Sequence, residues 1–374
     1  MHRQIDGVSR PPELEPIASP GTSPFVFFDP VCQHPYDSET LRQGATGGTE
    51  ASVTRIADAL GATVMQHNRT VRNGRYCPPH RIPRITHVVV VRDSRALSRV
   101  RELFPEARIY LWVHHHFPLG SKLFLRLAAT ADLLRDMAVT IVCVSHQQRQ
   151  DLNVSLGYLG LAQGRTCTIY NPVDEALAPA GAAIDDRKLV FFSSPNKGLK
   201  FTIDAFRELK RRMPDLRLVV GNPGYKIREF PAIEGVEFIG PQPQHLIHEQ
   251  VRTALCTFYP NFVFPETFGL VLAESKAVGT PVLTHDCGAA SEVVGDPQQI
   301  LPVPFSHELY EALLGKVPPR WRQGPARLAA RAGLFDCYVE RIRAWRSGGR
   351  PTTGPDPRFR LSTVVNEWRS LLSD

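Results

Sequence analysis

The sequence predicts an α/β protein of two doubly wound domains facing each other across a cleft. Three observations predict it. Short, continuous apolar runs alternate with amphipathic stretches, the pattern of parallel strands covered by helices. The pattern occurs twice, on either side of a seam rich in Pro, Ala and Asp. At 374 residues the chain is long for one core and comfortable for two.

In the first half the strand candidates are FVFF (25–28), THVVVV (86–91), RIYLWV (108–113) and TIVCVS (140–145), with CTIYN closing the set. In the second they are KLVFFS (188–193), LRLVVG (216–221), VEFIG (236–240), ALCTFYP (254–260) and TPVLT (280–284). Helices fall between them. Val53, Ile56, Ala57 and Leu60 share one helical face, as do Leu199, Ile203 and Phe206. The seam lies between Asn171 and Asp186, and SGGRPTTGPDP (347–357) loosens the chain before a last helix at 360–372. The expected organisation is a loose tail at 1–24, a first domain at 25–175, a second at 176–346, and a loop with closing helix at 347–374. In such α/β domains ligands bind at the carboxyl ends of the strands, hence in the cleft between two Rossmann-like halves.

Composition narrows the class. No apolar run approaches the roughly 18 residues of a membrane span, and the start does not resemble a signal peptide. The seven cysteines are scattered with no short CxxC pair, which argues against a disulfide framework or zinc knuckle and predicts the reducing cytoplasm. A net charge of +7, with Arg clusters at 207–212 and 341–350, suits solvated helix faces, a phosphate-bearing substrate or an anionic surface. There is no Gly-x-Gly-x-x-Gly after the first strand, no Walker lysine loop and no DxD metal motif, so a dinucleotide oxidoreductase or P-loop enzyme is not expected. Asp93, Asp185 and Asp186 read as surface acids.

The most informative stretch is PETFGLVLAESKAVGTPVLT (265–284). A helix is predicted from Phe268 to Val278, with Glu266 before it and Glu274 inside it. The rise of a helix separates the two carboxylates by roughly 12 Å, too far for acid/base work on one bond but suited to the two ends of an extended ligand. Between them the unpaired amides of Thr267 to Leu270 favour an anion. A polyol at each end and a phosphate bridge between describe a nucleotide sugar.

This stretch resembles the Glu-(seven residues)-Glu signature of the retaining family-4 glycosyltransferases of the GT-B fold. The resemblance extends in order through GGTEASVTRIADAL (47–60), VCVSHQQRQDL (142–152), IYNPVD (169–174), SSPNKGLKFTIDAFRELK (193–210) and CGAASEVVG (287–295). It implies a transferase moving a sugar from a nucleoside-diphosphate donor to a hydroxyl acceptor with retention of configuration, needing no cofactor or metal, its closing helix crossing back to the first domain. It further implies that Glu266 holds donor-sugar hydroxyls, that Phe268, Gly269 and Leu270 lie along sugar and phosphate, and that Glu274 accepts both ribose hydroxyls. Lys197, preceded by Ser193 and Ser194, would neutralise the departing diphosphate, and Gly47 and Gly48 would let backbone amides approach it. The family's Arg five positions before the lysine is Phe192 here, so half of the usual cationic clamp is missing.

The histidines of LWVHHHFP (111–118) end a predicted strand at the cleft rim, where the family has a His near the reacting sugar. His114 directly follows the apolar run and His116 has the family-like spacing to Pro118; His115 stays open. A structural histidine and a metal site are the alternatives, the latter weakened because consecutive residues point in alternating directions. The acceptor is expected to be a glycan, a lipid-linked sugar or a small molecule. Peripheral contact with the inner membrane face is left open, and nucleic acid is not expected. Rival functions are a GT-B epimerase or phosphorylase, or a non-enzymatic binder of anionic polymer acting through the Arg clusters.

Overall fold

The computed structural model describes residues 23–44, 46–161, 165–222, 231–262, 264–302 and 333–373. The expected tail lies outside these residues, apart from its last two positions. Seven parallel strands form the first sheet: β1 (Phe25–Asp29), β2 (Thr63–Gln66), β3 (Tyr76–Cys77), β4 (His87–Val91), β5 (Arg108–Val113), β6 (Thr140–Cys143) and β7 (Thr166–Thr168), ordered 3-2-1-4-5-6-7. Six more form the second: β8 (Asp185–Phe192), β9 (Arg217–Asn222), β10 (Val236–Pro241), β11 (Ala254–Tyr259), β12 (Val282–His285) and β13 (Ile300–Leu301), ordered 10-9-8-11-12-13.

Both orders reverse direction beside their first strand, between β1 and β4 and between β8 and β11. These are the switch points where a doubly wound sheet opens a crevice at its carboxyl edge. The strands are apolar on both faces because helices cover both. On β1, Phe27 enters one core cluster while Val26 and Phe28 enter the other. The sequence pattern missed β2, β3 and β13, which span four, two and two residues, too few to show a period.

The helix Leu361–Leu371 lies on the first sheet. Its Trp368 is fully buried, with ring centroids 5.1 Å from Trp112 and 5.7 Å from Phe27. Arg369 donates to the Ala59 carbonyl at 3.3 Å, and the Tyr110 hydroxyl donates to Leu371 O at 3.0 Å. The chain therefore leaves the second sheet and returns to the first, and this strap carries aromatic burial worth about 3–5 kcal/mol at Trp368 alone. No helix of the described residues is long and apolar enough to cross a membrane.

Candidate active site

The helix Leu270–Ala277 begins two residues later than the pattern predicts. Gly269 ends the preceding turn at φ +92°, a left-handed conformation that suits glycine, and Phe268 before it is buried. Glu266 is therefore not part of the helix, and an axial rise does not set its distance from Glu274. Its backbone is pinned to the loop after β12: Glu266 N donates to Cys287 O at 3.4 Å, and Ala289 N donates to Glu266 O at 2.8 Å.

Lys197, in the turn after β8, places Nζ 2.7 and 3.0 Å from the two carboxylate oxygens of Glu266. The Tyr259 hydroxyl, at the end of β11, donates to the same carboxylate. Both sides of the second switch point thus converge on one acid. The Glu266 side chain is 4% exposed and that of Lys197 is 39% exposed, so the carboxylate is fixed while the ammonium reaches solvent.

This pair stands on the wall of a cavity of about 620 Å³ between the two sheets. Thr267, Phe268, Gly269 and Leu270 line one wall at the amino end of their helix; Gly47 and Gly48, opening the helix Gly48–Leu60, line the other. A Cβ on Gly48 would stand 3.5 Å from Leu270 Cδ2, so the glycine loop and the donor-side helix meet across the cleft. Ser194 lines the same space, and Ser193 lines a smaller cavity of about 120 Å³ beside it, together with Phe192 and Glu274.

The histidines part company. His114 lines the cleft, packed on Trp112 at 4.5 Å between ring centroids, with its Nε2 buried and without a hydrogen-bond partner among the described residues. Burial, with Arg92 and His115 nearby, holds this imidazole well below its ordinary titration range, hence neutral. His115 lines the cleft from an exposed position. His116 turns to Asp151, with Nδ1 3.3 Å from its carboxylate, and does not line the cavity. Among the described residues no group of three or more His, Cys, Asp or Glu side chains could hold a metal ion.

The first switch point adds residues that the motifs do not mark. Arg92 follows β4 at φ +71°, donating to Asp29 at 2.6 Å and to Glu50 at 2.8 Å; the Tyr36 hydroxyl donates to Asp29 at 3.0 Å. Burial pushes the Asp29 carboxyl up, against the pull of Arg92. A charged residue directly after a run of valines was the available signal. Asp93, expected on the surface, lines the cleft with a side chain only 13% exposed, tied to Arg95. It caps the short turn that follows β4, which draws it inward.

Residues 178–317 match the family model described as Glycosyl transferases group 1. Over these residues the chain is similar to the group 1 glycosyltransferases. Beyond that match, the chain is 34% identical to the D-inositol 3-phosphate glycosyltransferase of Nocardia farcinica over 195 residues, 46% of this chain and 43% of that protein. It is 27% identical to the phosphatidyl-myo-inositol mannosyltransferase of Mycobacterium leprae over 129 residues, 33% of this chain and 34% of that one. The match thus spans less than half the length of these relatives. The whole glycosyltransferase fold is matched by Anabaena Alr3699/HepE, solved in complex with UDP-glucose, at a TM-score of 0.61 and 16% identity over 93% of this chain and 99% of the other. At that identity the likeness shows the architecture alone: two Rossmann-like halves in the GT-B arrangement.

Proposed function

We propose that this protein transfers a sugar from a nucleoside-diphosphate sugar to a hydroxyl acceptor, with retention of anomeric configuration. The observation that carries the reading is the Lys197–Glu266 pair at the mouth of the helix Leu270–Ala277, on the wall of an intersheet cleft. Glu266, fixed by Tyr259 and by the loop after β12, accepts donor-sugar hydroxyls. Lys197 can swing from Glu266 to the diphosphate, whose charge rises as it departs; a cation there helps the transition state more than the ground state. The amides of the turn at Gly269 and Leu270 add fixed positive potential, and the reading calls for no metal ion or other cofactor.

The step breaks the bond between the anomeric carbon and the phosphate oxygen and forms one from that carbon to the acceptor oxygen on the same face. The acceptor's proton passes to the departing phosphate oxygen. Neutral His114, on the cleft wall with a buried Nε2 that has no partner among the described residues, supplies a hydrogen bond to a sugar hydroxyl once its ring turns toward the donor. Ser193, Ser194, Thr267, Phe268, Gly47 and Gly48 line the donor path, and Glu274 takes the ribose. The acceptor occupies the first-sheet side of the cavity; the relatives named for inositol phosphate and phosphatidyl-myo-inositol make a polyol, free or on a lipid, the first acceptors to try.

A binder of anionic polymer is less well supported, because its basic clusters are largely engaged: Arg207 with Asp204, Arg211 and Arg212 with Glu208, Arg346 with Asp215.

The test is release of nucleoside diphosphate from UDP-, GDP-, ADP- and TDP-linked sugars with a polyol acceptor, a CMP-linked sugar serving as the monophosphate control. Glu266→Gln and Lys197→Ala should each lower turnover by about a hundredfold or more while leaving the folded signal unchanged. Variants that turn over like the wild type would overturn the reading. An isomerised donor without acceptor would replace it with epimerisation.

A further inference from the structure

Glu274 is a buried acid of the candidate site, its side chain 5% exposed, and the guanidinium paired with it comes from the opposite half of the molecule. Arg55, on the helix Gly48–Leu60, has a side chain 5% exposed. Its Nη1 donates to the Pro172 carbonyl at 3.3 Å, in the segment joining the two sheets, and its Nη2 donates to Gln244 Oε1 at 2.8 Å. The same Nη1 stands 3.6 Å from Glu274 Oε1. On the other side His248 Nε2 stands 3.6 Å from Glu274 Oε2.

Both distances are just beyond hydrogen-bond length, and Glu274 Oε1 is buried with no shorter partner among the described residues. The two flanking groups balance the buried charge at 3.6 Å without closing a short hydrogen bond, which leaves lone pairs of the carboxylate for a ligand hydroxyl. Glu274 borders the 120 Å³ cavity, whose other walls include Phe192, Asn222, Gln242 and His248.

Resting on the donor-site reading above, we propose that Arg55 is a positioning residue for nucleotide binding. Held against the linker and Gln244, it sets Glu274 with one oxygen open to the ribose hydroxyls of a nucleoside diphosphate, and does so only while the two halves are closed. A charge fixed across the cleft thereby makes donor affinity depend on the interdomain angle. It also explains why a residue on the glycine-loop helix is buried in contact with the second half rather than with its own sheet.

The electrostatics agree. Burial alone would push the Glu274 carboxyl up, and His248 and then Arg55 bring it below its ordinary value. Lys197 and Glu266 border the same cavity and pair with each other. Loss of Arg55 would let the carboxyl rise, so nucleotide binding by the variant would weaken further as the pH falls.

The experiment is calorimetric titration of the full chain with UDP, GDP and ADP, and with inorganic pyrophosphate, which lacks the ribose. Arg55→Met should weaken the nucleoside diphosphate that the wild type binds by about tenfold or more, the scale of one hydrogen-bonded charge, and leave pyrophosphate unchanged. The loss should deepen between pH 7.5 and 5.5, and Arg55→Lys, which keeps the charge, should restore part of it. Equal binding by wild type and Arg55→Met, or an equal loss of pyrophosphate, would overturn the proposal with the donor site intact. A wild type that binds none of the three nucleotides would overturn the donor-site reading itself, and this inference with it.

Discussion

Glu292 caps a helix that belongs to the other half of the molecule. Its two carboxylate oxygens accept from the amides of His146 at 2.9 Å and Gln147 at 3.0 Å, the first residues of the helix His146–Tyr158. The Tyr170 hydroxyl donates to the same carboxylate at 2.8 Å, and Ser145 caps the next amide, that of Gln148, at 3.0 Å. Orphan amides and the positive end of a 13-residue helix thus meet a carboxylate carried beside β12. Arg55 at the linker and Ser145, whose hydroxyl donates to the Thr267 carbonyl at 2.6 Å, are further points where the halves are fastened.

Removal of this cap should therefore loosen the whole molecule. Glu292→Ala is expected to lower the unfolding free energy by about 1–3 kcal/mol, and Glu292→Gln by less, since the amide oxygen still accepts one bond. Urea denaturation of both variants measures it; an unchanged midpoint in Glu292→Ala would remove the fastening.

Gly288 tests how tightly Glu266 is held. A Cβ added there would lie 2.4 Å from Glu266 O and 2.6 Å from Glu266 N, and the residue sits at φ +65°. Gly288→Ala must displace the acid's backbone. Turnover should fall by about a hundredfold, the effect of a displacement of roughly 1 Å at a reacting centre. Gly295→Ala is the comparison: its φ is +71°, but nothing lies within 4 Å of the added carbon. It should cost about 1–2 kcal/mol of stability and leave turnover alone. Equal turnover in the two variants would show that Glu266 needs no such support.

The second half should weaken in acid through His285. This imidazole is fully buried, its Nδ1 facing the carbonyls of Leu301 and Pro302 at 3.2 and 3.0 Å and its Nε2 2.6 Å from the Tyr338 hydroxyl. Burial pulls it down to about 4 against those two carbonyls. Because the folded value lies below the unfolded one near 6.5, the unfolded chain binds the extra proton between them. Stability from this residue is complete above about 6.5 and is lost as the pH falls towards about 4, roughly 2 kcal/mol by pH 5. The difference in denaturation midpoint between pH 7 and 5 should shrink in His285→Gln; an identical difference would assign the acid sensitivity elsewhere.

Much of the fold was legible because its signals are local. The runs at 25–28, 86–91 and 108–113 are strands because a continuous apolar stretch bounded by turn residues has few other stable states. The helix after Gly269 was legible to within two residues, the error arising because Phe268 is buried by the turn rather than by the helix. For the site, the pattern pointed to Glu266 and the family resemblance to Lys197 and the histidine triplet, and the structure brings Lys197, Glu266 and His114 to one cleft. It could not separate His114 from His116. That depended on Trp112 beneath one ring and Asp151 beside the other.

By itself the sequence determined the two parallel sheets, the order of the motifs along them and the helix that opens on the cleft. Periodicity, glycine and capping residues act over a few positions and read the same in any surroundings. Only the tertiary structure decided which charges meet. Arg92 finds Asp29 across 63 residues and Arg55 finds Gln244 across 189, while Tyr259 reaches Glu266 from the end of β11 and Lys197 from the turn after β8. Such pairings leave no periodic trace, because a charge costs nothing in water and acquires a required partner only once the fold has buried it.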